Sequence, residues 1–460
     1  MIPRSKLDLT NLKTYGQSCL DLAQRHLAGF QTVAEIAEAE DELNVYPHLD
    51  RLSDPKDVQV LDEQAISSKE MQRARQAVLD GRFFCEHTAA GEATRLKLGT
   101  KFLINPARDL STKKIAAMIA AELGRVVEPD EVAGQMEVEP ERLLPLSLGW
   151  RHMLQIAFEI SVLAEEAGLD PAETRARQKM LIVLNEKTAY QILSQFSAAN
   201  FFGFDRTNVF FMVQPSFPGI SLKQGRFFFE PSSLPRLHNH GQLVLQETMD
   251  DQIFYLDPSN RRVHLKAAEF AVILSELADK ISYNIEDLGY LSGAIDWSSL
   301  AMALKLGDQG YSMVMEVVAN NPQRPQKGGL AAFDQTLGRN VMIESFQLKG
   351  MANKDIRYLN KNFNHFPGPK ASWEALKDQG LPMPIAVKNN FLYFQPVQGD
   401  INFLVRTAFV QRRVLKPISA WKSAADTPTT INAMWIQENQ PGFNDFIEKI
   451  LQRLSKKSKC

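Results

Sequence analysis

An α/β fold with a largely parallel sheet is what this chain predicts, and three observations carry that expectation. From Phe83 onward, short apolar runs of strand length alternate with longer segments of helical period. The 460 residues are 44% hydrophobic and 23% charged, a balance that supplies a sizeable buried core. Polar, small-residue loops follow several of the apolar runs, and in open α/β sheets ligands bind at such strand ends.

The elements follow in order. Residues 1–79 are helical and charged, interrupted by Pro47 and Pro55, and are expected to form an N-terminal helical layer. Residues 80–380 form the main domain, with strands over Phe83 to Glu86, Met180 to Leu184, Val209 to Val213, Met313 to Val318 and Val341 to Glu344. Ser111 can cap a helix whose Ile115, Met118, Ile119 and Leu123 make an apolar stripe. A second helix carries Leu154, Phe158 and Val162 and ends near Gly168. Residues 381–460 form a small C-terminal segment with a strand over Phe391 to Phe394. It closes on an amphipathic helix with Ile447, Ile450, Leu451 and Leu454 on one face.

Charge and cysteine usage narrow the function classes. A formal net charge of -2 points to neither a nucleic-acid binder nor a membrane-surface binder, although a nucleotide could bind through local charge. Cys19, Cys85 and Cys460 lie far apart, with no CxxC and no zinc spacing, which implies a reducing, cytoplasmic compartment. The N-terminus shows no apolar run of a secretory signal, and no segment is long and apolar enough to span a membrane. Oligomeric state is not fixed by any of these features.

The chemistry concentrates after the first strand, in Cys85-Glu86-His87-Thr88-Ala89-Ala90-Gly91-Glu92-Ala93-Thr94-Arg95-Leu96, with Lys101 nearby. Small residues let backbone N–H groups approach an anion closely. Arg95 can clamp a phosphate bidentately and Lys101 adds a point charge. No GxxxxGK[ST] is present, so this is not a Walker loop; taken alone, the alternative is a plain turn with one Gly and two nearby cations. Gln214, ending the Val209 strand, offers an amide suited to a base edge, the alternative being a turn set by Pro215 and Pro218. His238-Asn239-His240-Gly241 reads better as a nucleotide loop than as a metal site, since no further ligand lies at the required spacing. The adjacent carboxylates Glu286 and Asp287 can hold Mg²⁺, or can serve as an acidic helix cap. Glu344, Asn360 and Asn362 suit sugar hydroxyls, which both donate and accept.

Taken in order, these segments resemble the UDP-sugar pyrophosphorylases, the UTP:sugar-1-phosphate uridylyltransferases. The resemblance spans roughly Arg82 to Lys388. Ala89 to Leu96 with Lys101 follows the frame of that family's AGGxGTRL…PKG loop, and Gln214 with Pro218 its Q-x-x-x-P. His240-Gly241 falls on the HG of GHGD, Asn284 to Gly289 on NxDNLG, Lys327-Gly328-Gly329 on KGG, Glu344 on LLE, and Asn360-Lys361-Asn362 on NTN. Departures mark a divergent member: Ala90 and Ala93 stand for glycines, Glu286 for Asp, Asp287 for Asn, and Gln242 for Asp.

The resemblance implies a Rossmann-like α/β/α nucleotidyltransferase sandwich and an enzyme joining UTP to a sugar 1-phosphate, with Mg²⁺ as cofactor. It assigns Ala90, Gly91, Gln214, His240 and Gly241 to the nucleotide, and Gly329, Glu344, Asn360 and Asn362 to the sugar. Arg95, Lys101 and Lys388 fall to the phosphates, and Glu286 or Asp287 to the metal. The alternative from another class is a non-catalytic relative that binds a nucleotide or sugar nucleotide in a regulatory or scaffold role. The choice between glucose 1-phosphate and N-acetylglucosamine 1-phosphate stays open.

Overall fold

The strand Lys179–Asn185 shows how the sequence builds the fold. It reads Lys-Met-Leu-Ile-Val-Leu-Asn, and Met180 through Leu184 are all buried. A strand apolar on both faces must be covered on both faces. Alternate residues accordingly enter two separate cores. Met180, Ile182 and Leu184 join Phe83, Cys85, Val209 and Phe211 in one; Leu181 and Val183 join Phe84, Phe210 and Met212 in the other. The computed structural model describes residues 7–91, 96–284, 287–291, 293–323, 325–414 and 420–457.

The two cores lie on either side of one large mixed sheet. From one edge its strands run Gln59–Leu61, Thr407–Arg412, Met313–Ala319, Tyr358–Pro367, Asp279–Asn284, Phe83–Thr88, Lys179–Asn185, Val209–Gln214, Ile253–Leu256 and Arg262–His264. The heart is parallel: the strands starting at Asp279, Phe83, Lys179 and Val209 pair in register as Asn284↔Thr88, Thr88↔Val183 and Asn185↔Gln214. One core takes the helices Thr112–Leu123, Leu148–Glu166, Ala189–Ala198 and Trp297–Asp308 through Ile115, Leu154, Ile192 and Leu300. The opposite core takes Leu12–His26, Ala267–Ser275 and Lys370–Gln379 through Leu22, Phe270 and Trp373. This is the expected three-layer sandwich.

The five strands expected in the main domain are present within a residue or two of their bounds. Ser111 caps its helix, accepting from the Lys114 N–H. Leu123 departs from expectation, being 51% exposed at the last turn. Gly124 stops the helix there with a positive φ of 65°, so the stripe narrows to Ile115, Ala116 and Ile119. Two strands carry no clear apolar signature. Tyr358–Pro367 runs antiparallel between Met313–Ala319 and Asp279–Asn284, and Thr407–Arg412 lies parallel to Met313–Ala319. The sheet therefore draws strands from all three segments of the chain, Gln59–Leu61 pairing with Thr407–Arg412 at its edge. The terminal helix Phe443–Lys457 buries Ile447 and Ile450 in the first core, while the side chains of Leu451 and Leu454 lie outside the described atoms. A second, four-stranded sheet joins Ile385–Lys388, Phe391–Phe394, Ile220–Lys223 and Arg226–Phe229.

Candidate active site

Because the four central strands are parallel, the residues that follow them emerge on one edge of the sheet. Ala89 to Gly91 follow the Phe83 strand, and Asp287 lies just beyond the Asp279 strand. The Ala89 N–H donates to Val183 O at 2.9 Å, and Asn185 Nδ2 donates to Ala90 O at 2.7 Å. Ala89 and Ala90 are buried, Gly91 is exposed, and a Cβ built on Gly91 would meet no described residue within 4 Å. Thr88 Oγ1 lies 2.8 Å from Asn284 Oδ1, linking this loop to the Asp279 strand. Arg95 and Glu286 lie outside the described residues, as does the side chain of Asn362. Lys101 opens a 3₁₀ turn and is buried, 7% exposed, next to Phe102, which packs against Gly149 of the long helix.

The neighbouring loop gathers Gln214 and His240. Gln214 ends its strand 5% exposed, and its Nε2 has no hydrogen-bond partner among the described residues. Gln242, which stands where the resembled motif has Asp, is 1% exposed and uses both ends of its amide. Its Nε2 donates to Pro215 O at 2.8 Å, and its Oε1 accepts from the His238 N–H at 2.6 Å. An aspartate could not make the first of these bonds, so the substitution fits the wiring of this chain. His238 stacks on Phe217 at 4.4 Å, and its Nδ1 lies 2.9 Å from Tyr15 Oη of the first helix. Burial pushes its pKa down to about 3. His240 keeps an accessible ring yet is surrounded by protein, as a residue lining a cleft is; desolvation pushes its pKa down to about 4. Its Nδ1 accepts from the Gln398 N–H at 3.1 Å. Gly241 has no room for a side chain: a Cβ there would meet Pro396 backbone atoms at 2.3 to 2.5 Å.

The expected sugar residues meet around Asn360. They come to the same edge because Tyr358–Pro367 is antiparallel, so that its N-terminal end lies beside the C-terminal end of Met313–Ala319. The Asn360 N–H donates to Gly329 O at 2.9 Å, and Glu344 follows Ile343, the partner of Leu330. Burial raises the Glu344 pKa. A bulge between Met315 and Val317 interrupts the register and re-aims Lys361, whose Nζ lies 2.7 Å from Glu316. Arg412 binds both oxygens of Glu316 at 2.9 and 3.0 Å and also pairs with Asp296 and Glu63. Burial opposes the Arg412 charge, but Asp296 and Glu316 prevail and raise its pKa. Lys388 lies exposed at the end of its strand in the second sheet, beside the Asn389–Asn390 turn and paired with Phe391, which packs against Gly219 of the loop after Gln214.

Asp287 offers oxygen ligands, one of which accepts from the Gly289 N–H at 3.0 Å. Among the described residues no group of three or more His, Cys, Asp or Glu could form a metal cage. That donor set fits an ion held by one or two carboxylates and completed by phosphate and water oxygens, the usual manner of Mg²⁺. A second arrangement looks catalytic and is not placed to be. His365 lies 2.5 Å from Asp279 and 3.0 Å from Ser299, all three buried at the N-terminal end of the Asp279 strand, opposite the loops. It ties the sheet to the Trp297–Asp308 helix. Asn185 and Arg412, which hold the site's loops and strands, were not singled out by the sequence; an Asn or Arg at a strand end carries no signal beyond a turn.

A parallel heart under two helical layers, with polar loops gathered where those strands end, defines a Rossmann-like nucleotidyltransferase sandwich. No family model matches the chain, and no curated protein matches it by sequence. Solved structures match in fold. The uridine diphosphate N-acetylglucosamine pyrophosphorylase of Trypanosoma brucei, solved with an inhibitor, matches with a TM-score of 0.61 at 14% identity, over 93% of this chain and 78% of that one. A mutant UDP-glucose pyrophosphorylase of Leishmania major, solved with UDP-glucose, matches with a TM-score of 0.54 at 13% identity, over 92% and 78%. The particular fold is that of the UDP-sugar pyrophosphorylases, shared at 13 to 14% sequence identity. Among the described residues no helix is long and apolar enough to cross a membrane.

Proposed function

We propose that this chain is a Mg²⁺-dependent uridylyltransferase that forms a UDP-sugar and pyrophosphate from UTP and glucose 1-phosphate or N-acetylglucosamine 1-phosphate. The observation that carries the reading is Gln214, a buried amide donor with no described partner at a strand end of this fold. A buried donor left unpaired costs about 1–3 kcal/mol. An acceptor on a bound base edge offsets that cost.

In this reading a phosphate oxygen of the sugar 1-phosphate attacks the α-phosphorus of UTP, and the bond to the leaving pyrophosphate breaks. No protein nucleophile is required, and catalysis is positioning plus charge stabilisation. Backbone at Ala90 and Gly91, with Arg95 and Lys101, takes the triphosphate. Gln214, His240 and Gly241 take the uridine; Gly329, Glu344, Asn360 and Asn362 take the sugar. Asp287 or Glu286 holds Mg²⁺, which neutralises phosphate charge when bound. Lys388, exposed in the second sheet, takes the phosphate of the sugar 1-phosphate.

The test is pyrophosphate release from UTP, Mg²⁺ and a panel of sugar 1-phosphates. Release with one of them is expected, and Asp287→Asn or Glu286→Gln, whichever removes the metal ligand, should abolish it. Binding of UTP with no release from any sugar would replace the enzyme by a binding protein.

A further inference from the structure

Neither Asn185 nor Glu186 has a place in the scheme above, yet the loops on both sides depend on them. We infer that this pair, the end of the Lys179–Asn185 strand and its successor, is a brace that positions the phosphate-side loop and the base-side loop relative to each other. The inference rests on the nucleotide reading and adds two positioning residues to it.

Asn185 is 7% exposed and fully engaged. Its Oδ1 accepts from the Thr188 N–H at 2.9 Å and from Thr188 Oγ1 at 2.8 Å. Those two donors fix the orientation of the amide, so its Nδ2 must face Ala90 O, 2.7 Å away. A trans peptide plane sets the next N–H antiparallel to that carbonyl. Pinning the Ala90 carbonyl toward Asn185 therefore turns the Gly91 N–H the opposite way, and among the described residues that N–H has no partner. An oriented, unpaired backbone N–H beside an open glycine is what an anion site uses.

Glu186 works on the other side. Its Oε2 accepts from the Ser216 N–H at 3.0 Å, two residues beyond Gln214. Asn185 and Gln214 are themselves paired across the two strands. One short turn thus spans from the phosphate-side backbone to the base-side loop, and its two arms are chemically separate.

That separation gives the test. Calorimetry would measure binding of UTP and of inorganic tripolyphosphate, which has no base, to the whole protein. Asn185→Asp puts an oxygen against Ala90 O and should weaken both ligands by at least about tenfold. Glu186→Ala releases only the base-side loop; it should weaken UTP by about threefold or more and leave tripolyphosphate within about twofold. Should Asn185→Asp fail to fold, Thr188→Val carries the same test, because it removes one of the two bonds that orient the amide while keeping Asn185. Wild-type affinities in the Asn185 arm, or equal losses of both ligands in both arms, would overturn the brace. A wild-type protein that binds neither ligand would overturn the nucleotide reading itself, and the brace with it.

Discussion

Where the Lys179–Asn185 and Val209–Gln214 strands end, the loops are fastened mainly by neutral amides, Asn185 to Ala90 and Gln242 to Pro215 and to the His238 backbone, with one solvent-exposed carboxylate, Glu186, on the Ser216 N–H. Where Met313–Ala319, Tyr358–Pro367 and Thr407–Arg412 meet, the work falls to charges: Lys361 and Arg412 share Glu316, and Arg412 extends to Asp296 and Glu63. The contrast separates rigidity from field. Neutral amides fix geometry without placing charge near an uncharged base. In the ionic half two cations face three carboxylates, so that half contributes no positive field for phosphates. Cations for the phosphates have to come from elsewhere, and Arg95, Lys101 and Lys388 are the candidates.

The largest expected effect breaks the ionic half. Arg412→Met leaves Glu316 to Lys361 alone and takes the Arg412 partner from Asp296, and removing one partner of a buried network costs about 3–5 kcal/mol. The urea midpoint should fall accordingly; a loss below about 1 kcal/mol would mean that the network is solvated and idle.

Next comes pH, acting between the halves. His87 is buried and stacks on Tyr283 at 5.5 Å, and burial pushes its pKa down to about 4. The unfolded imidazole titrates near 6.5, so between those values the unfolded chain binds more protons. Stability from this residue is intact above pH ~6.5 and falls as pH drops toward 4, by about 3 kcal/mol in all. His87→Phe keeps the stack and should flatten the stability profile across that window. An unchanged slope would show that His87 is not the group being titrated.

A smaller effect tests the neutral half. Gln242→Leu leaves Pro215 O and the His238 N–H without a partner, at roughly 2 kcal/mol, and the loss should be the same at low and high salt. A strong salt dependence would erase the contrast drawn here. The smallest effect on stability belongs to Gly91→Ala. A Cβ there meets no described residue and the backbone has no positive φ, so the melting transition should move by less than about 0.5 kcal/mol. UTP affinity should nevertheless fall by about tenfold, because the methyl occupies the path of the phosphate. Unchanged affinity would remove Gly91 from the site.

The sequence was legible where burial is two-sided and local. Lys179–Asn185 and Val209–Gln214 announce themselves by continuous apolar runs. Tyr358–Pro367 does not, because its sequence interleaves Asn360, Lys361, Asn362, Asn364 and His365 and its pairing crosses a bulge. Its polar side chains are buried by partners that lie far away in sequence, as His365 is by Asp279. Thr407–Arg412 hides for the same reason: Arg412 reads as surface until Glu316 is known to face it. The order of the site motifs could be read, since each sits in its own loop. The Asn185 brace could not, because its meaning depends on which carbonyl lies opposite.

The pairing of Gln59–Leu61 with Thr407–Arg412 has a consequence for how this protein comes into being. Arg413 and Asp62, bonded at that edge, are 351 residues apart in the chain. Pairings of such separation form late, since loop closure must precede them. During synthesis the Met313–Ala319 strand therefore waits with an open hydrogen-bonding edge until Thr407–Arg412, about 90 residues later, has left the ribosome. An uncovered edge of that kind invites a strand from another molecule. A chain cut short before residue 407 is left with a permanent docking edge for its own kind, so the Thr407–Arg412 strand acts as a built-in stopper against self-association.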